Sequence, residues 1–460
     1  MKIGDSFQHQ KWGRGEILEV LIKGKKVFAK VRYGFATDTT PIEEIPGGES
    51  LRLLAPKHSN VDVPKGNLTN NNQNRLKPIL MARRGIQALK LGQVLEEQVA
   101  TLSVGTKAIE SQFSEAFEKA ARYKKPQLIM IEGAWGVGKT HLLTLLTSMA
   151  NTREFATASI ILDGWAATVS EPMRLMEGIT SSIRFPGEYL PSGIGAKLAT
   201  VKQHGMPELR GLAGQRMIKL MQEIPLHALD DPEVITVLED YMGLSLAATR
   251  AREKIRQLGY GDRLIPPLKA RSIDGRAQRF QELLCDWTGF CVGAKAKGLL
   301  IVIDEVDVDY AKSMNWNSEW RSRHDATLRA LGKLNDHRLP IIIAFGSAPA
   351  GPDDDESFDS VRDVIIKIGH MDLRVEAVAL SEENLIELGE KVFHLYCLAY
   401  RGFEKKLDQS ARRSVSQMLL KQYKRELSPV PRRFVRSLLH CFDLIDQGQS
   451  TVQELVRGAR

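Results

Sequence analysis

The sequence contains little that would suit a membrane protein, a disulfide-stabilised secreted protein or a metalloprotein. No apolar run is long enough to span a bilayer, and Met1–Asp5 does not begin the apolar region of a signal peptide. The ten histidines form no ligand cluster. These absences predict a cytoplasmic protein with reduced thiols and no histidine or cysteine metal site. Its four cysteines, which lack metal-ligand spacing, are Cys285, Cys291, Cys397 and Cys441.

The positive charge of the chain is concentrated near its C-terminal end. The formal net charge is +8, and residues 401–460 alone carry thirteen Lys/Arg against six Asp/Glu. Clustered basic residues predict a DNA contact, while a helical segment with solvated arginines is the alternative interpretation. Helical spacing would place four of the basic residues on one face if the helix is continuous. The basic residues considered are Arg412 and the four that would share this face, Arg413, Lys421, Lys424 and Arg425.

A complete phosphate-binding loop occupies residues 133–140, between an apolar strand and a helix. Its glycines let successive backbone N–H groups surround a polyphosphate, and the helix N-terminus adds positive partial charge. We expect Lys139 to reach the β- and γ-phosphates of ATP and the Thr140 hydroxyl to bind Mg²⁺. The predicted nucleotide-binding residues are Gly133, Ala134, Trp135, Gly136, Val137, Gly138, Lys139, Thr140 and His141.

A second motif predicts that the bound nucleotide is hydrolysed. The apolar run Gly298–Ile303 is typical of a strand buried in a parallel sheet, and it ends in Asp304 and Glu305. We expect Asp304 to hold Mg²⁺ through water and Glu305 to orient and polarise the attacking water. An acidic pair that caps a strand is the alternative, but the phosphate loop upstream favours catalysis. Asp307 and Asp309 are further candidates for the metal, although a solvated loop is the more ordinary interpretation for both.

The first residues of the chain predict a small β-barrel. Glu16–Ile22 and Lys26–Tyr33 alternate as half-buried strands do, and the basic turn Trp12–Gly15 precedes them. This pattern resembles the C-terminal Tudor-like (SH3-like) domain of UvrD/PcrA-type helicases. The resemblance implies a docking surface for a protein or a nucleic acid.

The remaining patterns predict an α/β fold followed by helices. Strands and helices alternate over residues 79–378, which predicts a P-loop NTPase core of the AAA+ type with a parallel sheet. A helical insertion at about 169–297 separates its two ATP motifs. Residues 379–460 predict a basic α-helical lid. Ahead of the core, we expect an SH3/Tudor-like barrel over residues 1–55 and a flexible Asn-rich linker over residues 56–78.

Two helix ends can be placed from single residues. Gly92 follows the helical pattern Ile79–Leu91 and predicts its C-terminal stop. Ser381, followed by two glutamates, predicts the N-cap of a later helix.

Several segments together resemble the ATP-binding proteins of BREX-type phage-defence systems, the BrxC/BrxD-like family. The resemblance spans residues 80–445, and its strongest motifs are the phosphate loop and the acidic strand end. It implies a role in antiviral defence beside a helicase or another protein of the system. The segments that carry it are Ala82–Gly92, Ser103–Gly105, Gly136–His141, Met206–Ala213, Gly298–Glu305 and Pro431–Arg436.

The AAA+ arrangement implies roles for three more residues. Ser347 lies where a polar residue senses the γ-phosphate, with a plain turn serine as the alternative. Arg432, or its rival Arg433, is similar to the lid arginine that reaches the phosphates. Arg374, or its rival Arg362, lies where an arginine often bridges to a neighbouring subunit, which implies a homo-oligomer. A surface arginine is the ordinary interpretation of either residue.

These predictions leave two main functions open. The first is an ATPase that couples hydrolysis to assembly or movement on DNA, and Glu305 favours it. The second is an ATP-binding switch that recruits a helicase or nuclease partner through the N-terminal barrel. A small-molecule kinase is a weaker third interpretation, because the helical insertion and the basic lid have no evident use there.

Overall fold

The computed structural model describes most of the chain and divides it into two units, Met1–Arg75 and Leu76–Arg460. The described residues are 6–9, 13–23, 26–33, 36–41, 70–164, 167–188, 195–204, 220, 223–244, 246–261, 272–314, 318–348, 360–425 and 431–458. Within them, no helix is both long and apolar enough to cross a membrane. All four cysteines are free, and three of them are buried, while Cys397 is partly exposed.

The first unit contains a four-stranded antiparallel meander. Its strands are β1 (Ser6–His9), β2 (Gly13–Lys23), β3 (Lys26–Tyr33) and β4 (Ala36–Pro41), in that spatial order. Along β3 the odd positions 27–33 are all uncharged and share one face of the sheet, whereas the even positions 26–32 hold three basic residues and Phe28 on the other. The predicted strands are therefore present. Closure into a barrel, and most of the predicted linker, lie outside the described residues.

The second unit is built on a five-stranded parallel sheet. Its strands, in the order β6-β7-β8-β5-β9, all run in the same direction. The strands β7 and β8 are buried at every position, as continuous apolar runs in a parallel sheet should be. This architecture fits the predicted P-loop α/β core. The strand bounds are β5 Gln127–Glu132, β6 Ala156–Ile161, β7 Leu299–Asp304, β8 Ile341–Ser347 and β9 Leu373–Glu376.

Both faces of this sheet are covered by helices. Alternate residues of β5 face opposite sides, so Met130 joins one apolar core and Ile131 the other. The first core contains Trp287 and the residues of the insertion, whereas the second contains Phe117 and Leu146 of helices near the phosphate loop. The four helices that precede or follow β5 are α1 (Asn70–Lys90), α2 (Glu96–Leu102), α3 (Lys107–Tyr123) and α4 (Lys139–Thr152).

The helix α1 corrects the predicted linker, because it begins at Asn70 and not after residue 78. Its apolar residues Ala82, Ile86 and Leu89 are buried against later helices. Tertiary packing of such a face stabilises a helix beyond its local propensity. Gly92 follows α1 with φ of +78°, as predicted for a helix stop.

Between β6 and β7 the described elements are helices, as expected for the insertion. They are α5 (Pro172–Ser181), α6 (Gly195–His204), α7 (Pro232–Met242), α8 (Ala248–Gln257) and α9 (Ile273–Gly293). Three further helices flank the last strands: α10 (Val306–Met314), α11 (Ser318–Gly332) and α12 (Ser360–Ile368).

The chain then continues in helices, as predicted for residues 379–460. These are α13 (Glu382–Ala399), α14 (Gln409–Arg425), α15 (Pro431–Asp446) and α16 (Val452–Gly458). Ser381 accepts a hydrogen bond from the N–H of Asn384, so the predicted N-cap is confirmed. The helices α13–α16 share one apolar core with α1, and we call this set the C-terminal bundle. The domain limit predicted at residue 379 stays a prediction. The helix α1 comes before this limit in the sequence, but it packs against the helices that follow it.

Candidate ATP site

The phosphate loop connects β5 to α4 and takes the backbone shape that its glycines allow. Gly136 and Gly138 have φ of +81° and +118°, in the region that favours glycine. A Cβ on Gly133 would lie 2.5 Å from the carbonyl oxygen of Ala377, so a larger residue does not fit there. The loop therefore presents backbone N–H groups at the start of α4, as an anion cradle requires.

Lys139 lies inside this cradle. Its ammonium donates hydrogen bonds to the carbonyls of Gly133 at 2.8 Å and Ala134 at 3.3 Å. It also lies 5.5 Å from the ring centroid of Trp135, a side chain that is 66% exposed. The loop thus holds the ammonium of its one lysine against its own carbonyls.

The two ATP motifs meet although 164 residues separate them in the sequence. The Thr140 hydroxyl donates a hydrogen bond of 2.8 Å to Oδ2 of Asp304, which is buried at the end of β7. A hydroxyl and a carboxylate oxygen are ligands that Mg²⁺ takes beside phosphates and water. Among the described residues, no group of three or more His, Cys, Asp or Glu could hold a metal ion by itself. Thr140 and Asp304 therefore fit a Mg²⁺ whose remaining ligands come from a nucleotide and water.

Glu305 has an unusual backbone. Its φ is +62°, a conformation that costs a non-glycine residue about 1–3 kcal/mol. The surroundings hold it in place: its N–H donates to Oδ1 of Asp304 at 2.9 Å, and its carbonyl accepts the N–H of Val308 at 3.1 Å. Strain of this kind is concentrated at functional sites, and here it falls on the residue predicted to activate water.

The surroundings of Glu305 shift the pKa of its carboxyl in both directions. Burial raises the pKa of its carboxyl, and the negative charges of Asp304 and Asp307 act in the same direction. The positive charges of Lys139 and Arg432 lower it. Arg432, at the start of α15, is therefore within electrostatic reach of the predicted catalytic acid.

Arg432 is brought to the site by a close approach of two distant segments. A Cβ on Gly92 would lie 2.8 Å from Cδ of Arg432, so the arginine stem passes directly over this glycine. Gly92 combines this contact with a positive φ. The sequence predicted the helix stop, but nothing local to Gly92 could indicate the arginine above it. Its rival Arg433 is exposed on the same helix. The phosphate-sensing role of Arg432 remains a prediction.

Ser347 is buried at the end of β8, between the two motifs. The strand β8 lies between β7 and β5, and Ser347 pairs in register with Glu132, which precedes the phosphate loop. A Cβ on the adjacent Gly346 would lie 2.4 Å from Oδ1 of Asp304. The end of β8 thus packs against the carboxylate of Asp304. Its role as a γ-phosphate sensor stays a prediction.

Arg374 is engaged within its own chain. Its Nε and Nη2 donate to Oε1 of Glu132 at 3.1 and 2.7 Å, and its side chain is 56% exposed. The pair joins edge strand β9 to β5 beside the phosphate loop. Glu132 was not among the predicted site residues, and its sequence context gave no signal for this contact. Whether Arg374 also reaches a second subunit stays a prediction.

Asp307 and Asp309 do not lie in a solvated loop, so that interpretation was wrong. Both are in the first turns of α10, from which their side chains reach N–H groups of neighbouring loops. Asp307 accepts the N–H of Ala348 at 2.9 Å, and Asp309 accepts that of Val169 at 3.0 Å. Asp309 is fully buried, and burial raises its pKa. These two acids fix the loops after β8 and β6.

His141 lies in the first turn of α4, but its ring binds outside the phosphate loop. Its Nε2 is 2.9 Å from the hydroxyl of Ser103, in the segment between α2 and α3. Burial lowers the pKa of His141 to about 4. Its backbone remains part of the predicted cradle, whereas its side chain joins α4 to this segment.

Comparison with known proteins supports the nucleotide assignment over part of the chain. Residues 81–168 match the family model described as BREX system ATP-binding protein BrxC/D. The matched range runs from α1 past β6 and includes the phosphate loop, but it ends before Asp304. The match supports an ATP-binding protein of the BREX type, and it covers less than the resemblance drawn from the sequence.

Other comparisons are more distant. No curated protein matches the chain. A chain in the structure of the E. coli MS115-1 HORMA:CdnC:Trip13 complex is similar over 75% of this chain and 91% of that chain, with 11% identity and a TM-score of 0.32.

Proposed function

We propose that this protein is an AAA+-like ATPase of a BREX-like defence system that couples ATP turnover to the engagement of DNA or a partner protein. The observation that carries the proposal is the hydrogen bond between Thr140 and Asp304, with Glu305 directly after it. It supports the proposal because it joins the phosphate loop to the strand end at which Glu305 would activate water and Asp304 would hold Mg²⁺. A protein that only binds ATP has no need of that carboxylate.

The roles of the residues follow from their chemistry. The loop N–H groups and Lys139 would bind the phosphates, while Thr140 and Asp304 would hold Mg²⁺. When bound, Mg²⁺ neutralises charge on the β- and γ-phosphates. Glu305 would accept a proton from the attacking water and align it. Burial and the charges of Asp304 and Asp307 raise the pKa of Glu305, which suits a general base, while the positive charges of Lys139 and Arg432 oppose that rise.

The test is the variant Glu305→Gln, assayed for ATP binding and hydrolysis separately. It should keep the affinity for ATP and lower the hydrolysis rate by roughly 10²–10⁴-fold, the usual contribution of general acid–base catalysis. The matched control is Glu253→Gln, which changes an exposed carboxylate of α8 in the same way and should hydrolyse ATP normally. Wild-type hydrolysis by Glu305→Gln would remove Glu305 from the mechanism.

DNA engagement is proposed for the exposed basic face of α14. This helix is continuous from Gln409 to Arg425, the condition under which its basic residues share a face. Arg413 and Lys421 are exposed, whereas Arg412 pairs with Glu390 at 3.1 Å and is already engaged. Phosphate contacts by such residues release counterions, so DNA affinity should fall steeply with salt and depend little on sequence.

Charge reversal tests this face. The triple variant Lys421→Glu, Lys424→Glu, Arg425→Glu should weaken DNA binding and flatten its salt dependence, with basal ATP hydrolysis intact. The double variant Arg401→Glu, Lys405→Glu reverses exposed cations elsewhere in the bundle and serves as the control. Equal DNA affinity in the triple variant and the wild type would show that α14 is only a solvated face.

A homo-oligomer in which Arg374 completes a neighbouring site is also proposed. Because Arg374 binds Glu132 in its own chain, the two variants Arg374→Ala and Glu132→Gln separate the possibilities. If Arg374 acts on a second subunit, its loss lowers hydrolysis while Glu132→Gln, which releases it, does not. If the pair is only structural, both variants behave alike. Light scattering with and without ATP should show self-association that depends on the nucleotide.

The second candidate function is an ATP-dependent switch that recruits a partner through the N-terminal unit. The observation in its favour is the alternation along β3, which places Lys26, Lys30 and Arg32 on one face together with Phe28 and leaves the other face without a charged residue. Turnover measured with and without double-stranded DNA separates the two functions. Stimulation by DNA supports the first, and turnover that responds only to a partner protein supports the second.

A further inference from the structure

The short helix α2 connects the ATP-binding core to the C-terminal bundle. Val99 is buried in the core that contains α4, whereas Leu102 and Val104 are buried in the core of the bundle. Both ends of α2 are tied to α4: Glu96 hydrogen-bonds Asn151, and Ser103 hydrogen-bonds His141. The segment that begins at Ser103 is therefore held by the helix that follows the phosphate loop.

The hydrogen bonds of Ser103 define what His141 does there. The Ser103 hydroxyl donates its single proton to the carbonyl of Val99 at 2.7 Å. It must therefore accept at its other contact, and Nε2 of His141, 2.9 Å away, must be the donor. His141 is therefore the tautomer with its proton on Nε2. A side chain without a donor at this position would not hold Ser103.

The C-terminal bundle holds the same segment from the opposite side. The ammonium of Lys391, on α13, donates to the carbonyl of Ser103 at 2.5 Å and lies 3.1 Å from Glu387. Two residues after Ser103, a Cβ on Gly105 would lie 2.7 Å from Nδ2 of Asn384 on the same helix. Gly105 has φ of +67°, a backbone conformation that favours glycine. The bundle thus binds the segment at two places on α13.

We propose that Ser103 is the joint through which ATP at the phosphate loop sets the position of the C-terminal bundle, with His141 and Lys391 as positioning residues. The inference rests on the proposed ATP site. His141 directly follows Thr140 in the first turn of α4, so a shift of this turn reaches Ser103 through one hydrogen bond. From Ser103 it reaches α13 through Lys391, whose described contacts are with Ser103 and Glu387 and not with the phosphate loop.

Linkage gives the proposal a measurable consequence. If the bundle position and ATP binding are coupled, removing either hydrogen bond weakens ATP binding, although neither side chain has to touch the nucleotide. His141→Leu removes the donor on α4, and Lys391→Met removes the ammonium but keeps its apolar stem. Each should raise the Kd for ATP about three- to tenfold, the range expected for one hydrogen bond, and Lys391→Met should leave kcat within about twofold.

The matched variants separate coupling from a merely structural role. His141→Gln and Lys391→Arg keep a donor at each position and should restore the wild-type Kd to within about twofold. Glu387→Gln removes the other partner of Lys391 and should leave the Kd unchanged. The double variant His141→Leu, Lys391→Met should bind ATP about as well as the weaker single variant, because both act through Ser103.

Hydrogen exchange gives a readout independent of turnover. In the wild type, ATP should slow amide exchange in α13, and in Lys391→Met this protection should be lost. The proposed coupling through Ser103 is wrong if both single variants bind ATP as tightly as the wild type, or if their effects add in the double variant. In either case the proposed ATPase function stands. If the wild type does not bind ATP with Mg²⁺, the proposed function fails, and this inference fails with it.

Discussion

The phosphate-loop side of the site and the bundle side differ in how far apart their partners lie in the sequence. Lys139 binds the carbonyl of Gly133, six residues away. On the bundle side, Arg83 binds the carbonyl of Ala399 over 316 residues, and Lys391 binds Ser103 over 288. One contiguous stretch therefore builds the first side, whereas the second exists only after both ends of the unit have packed together. We expect substitutions on the first side to abolish ATP binding and those on the second to modulate it.

The largest effect should come from the phosphate-loop side. Lys139→Ala removes the one side-chain cation of the loop and should lower ATP affinity about 100-fold, as the loss of charge-assisted hydrogen bonds would. Titration calorimetry with ATP and Mg²⁺ measures this. An affinity that is little changed would mean that Lys139 and its loop do not bind the phosphates of ATP.

An intermediate effect should follow from the arginine that the bundle contributes. Arg432→Ala should lower ATP affinity or hydrolysis about tenfold, because it removes a charge that acts at Glu305. The matched control is Arg436→Ala, one turn later on the exposed face of α15, which should hydrolyse ATP normally. Equal rates in both variants would place the phosphate-sensing role elsewhere, with Arg433 as the next candidate.

A smaller effect should come from the glycine beneath that arginine. Gly92→Ala combines a strained positive φ with a contact to the Arg432 stem, so it should reduce hydrolysis about threefold and the free energy of unfolding by about 1 kcal/mol. Gly402→Ala has a similar φ of +90° but meets no atom within 4 Å. It should lose similar stability with normal hydrolysis. If both variants lose activity equally, backbone strain alone explains the result.

The smallest effect should be confined to stability. Lys90 of α1 pairs with Asp443 of α15 at 2.6 Å, and both side chains are partly exposed. Lys90→Met should reduce the free energy of unfolding by about 0.2–1 kcal/mol and leave ATP affinity unchanged. Lys405→Met, which changes an exposed lysine of the same bundle, should change neither quantity. Denaturant unfolding measures the difference, and a loss of ATP affinity in Lys90→Met would extend the nucleotide site to α1.

The same contrast explains which parts could be predicted from the sequence. The phosphate loop and the strand end at Asp304 were predictable because each motif carries its own geometry: glycines for the cradle, and an apolar run that ends in acids. Ser381 and Gly92 were predictable as helix ends for the same local reason. The contact between Thr140 and Asp304 could be expected because parallel strands present their carboxyl ends at one edge of a sheet.

The remaining features depend on long-range packing. The helix α1 looked like a linker at its start, because much of the apolar core that buries its later residues comes from helices that begin at Glu382. Asp307 and Asp309 looked solvated, since no local pattern shows which loop N–H groups need an acceptor. The contacts of Lys391 with Ser103 and of Glu132 with Arg374 depend on which helices and strands are neighbours in the fold. No local sequence pattern shows that order.

The place of α1 in the bundle also determines how mechanical load would travel through the molecule. The polypeptide leaves the N-terminal unit through α1, and α1 contributes Ala82, Ile86 and Leu89 to the bundle core. A pull on the N-terminal unit would therefore arrive at the bundle and not at the parallel sheet. The turn at Gly92, which follows α1 and contacts the Arg432 stem, lies next along the chain from this helix.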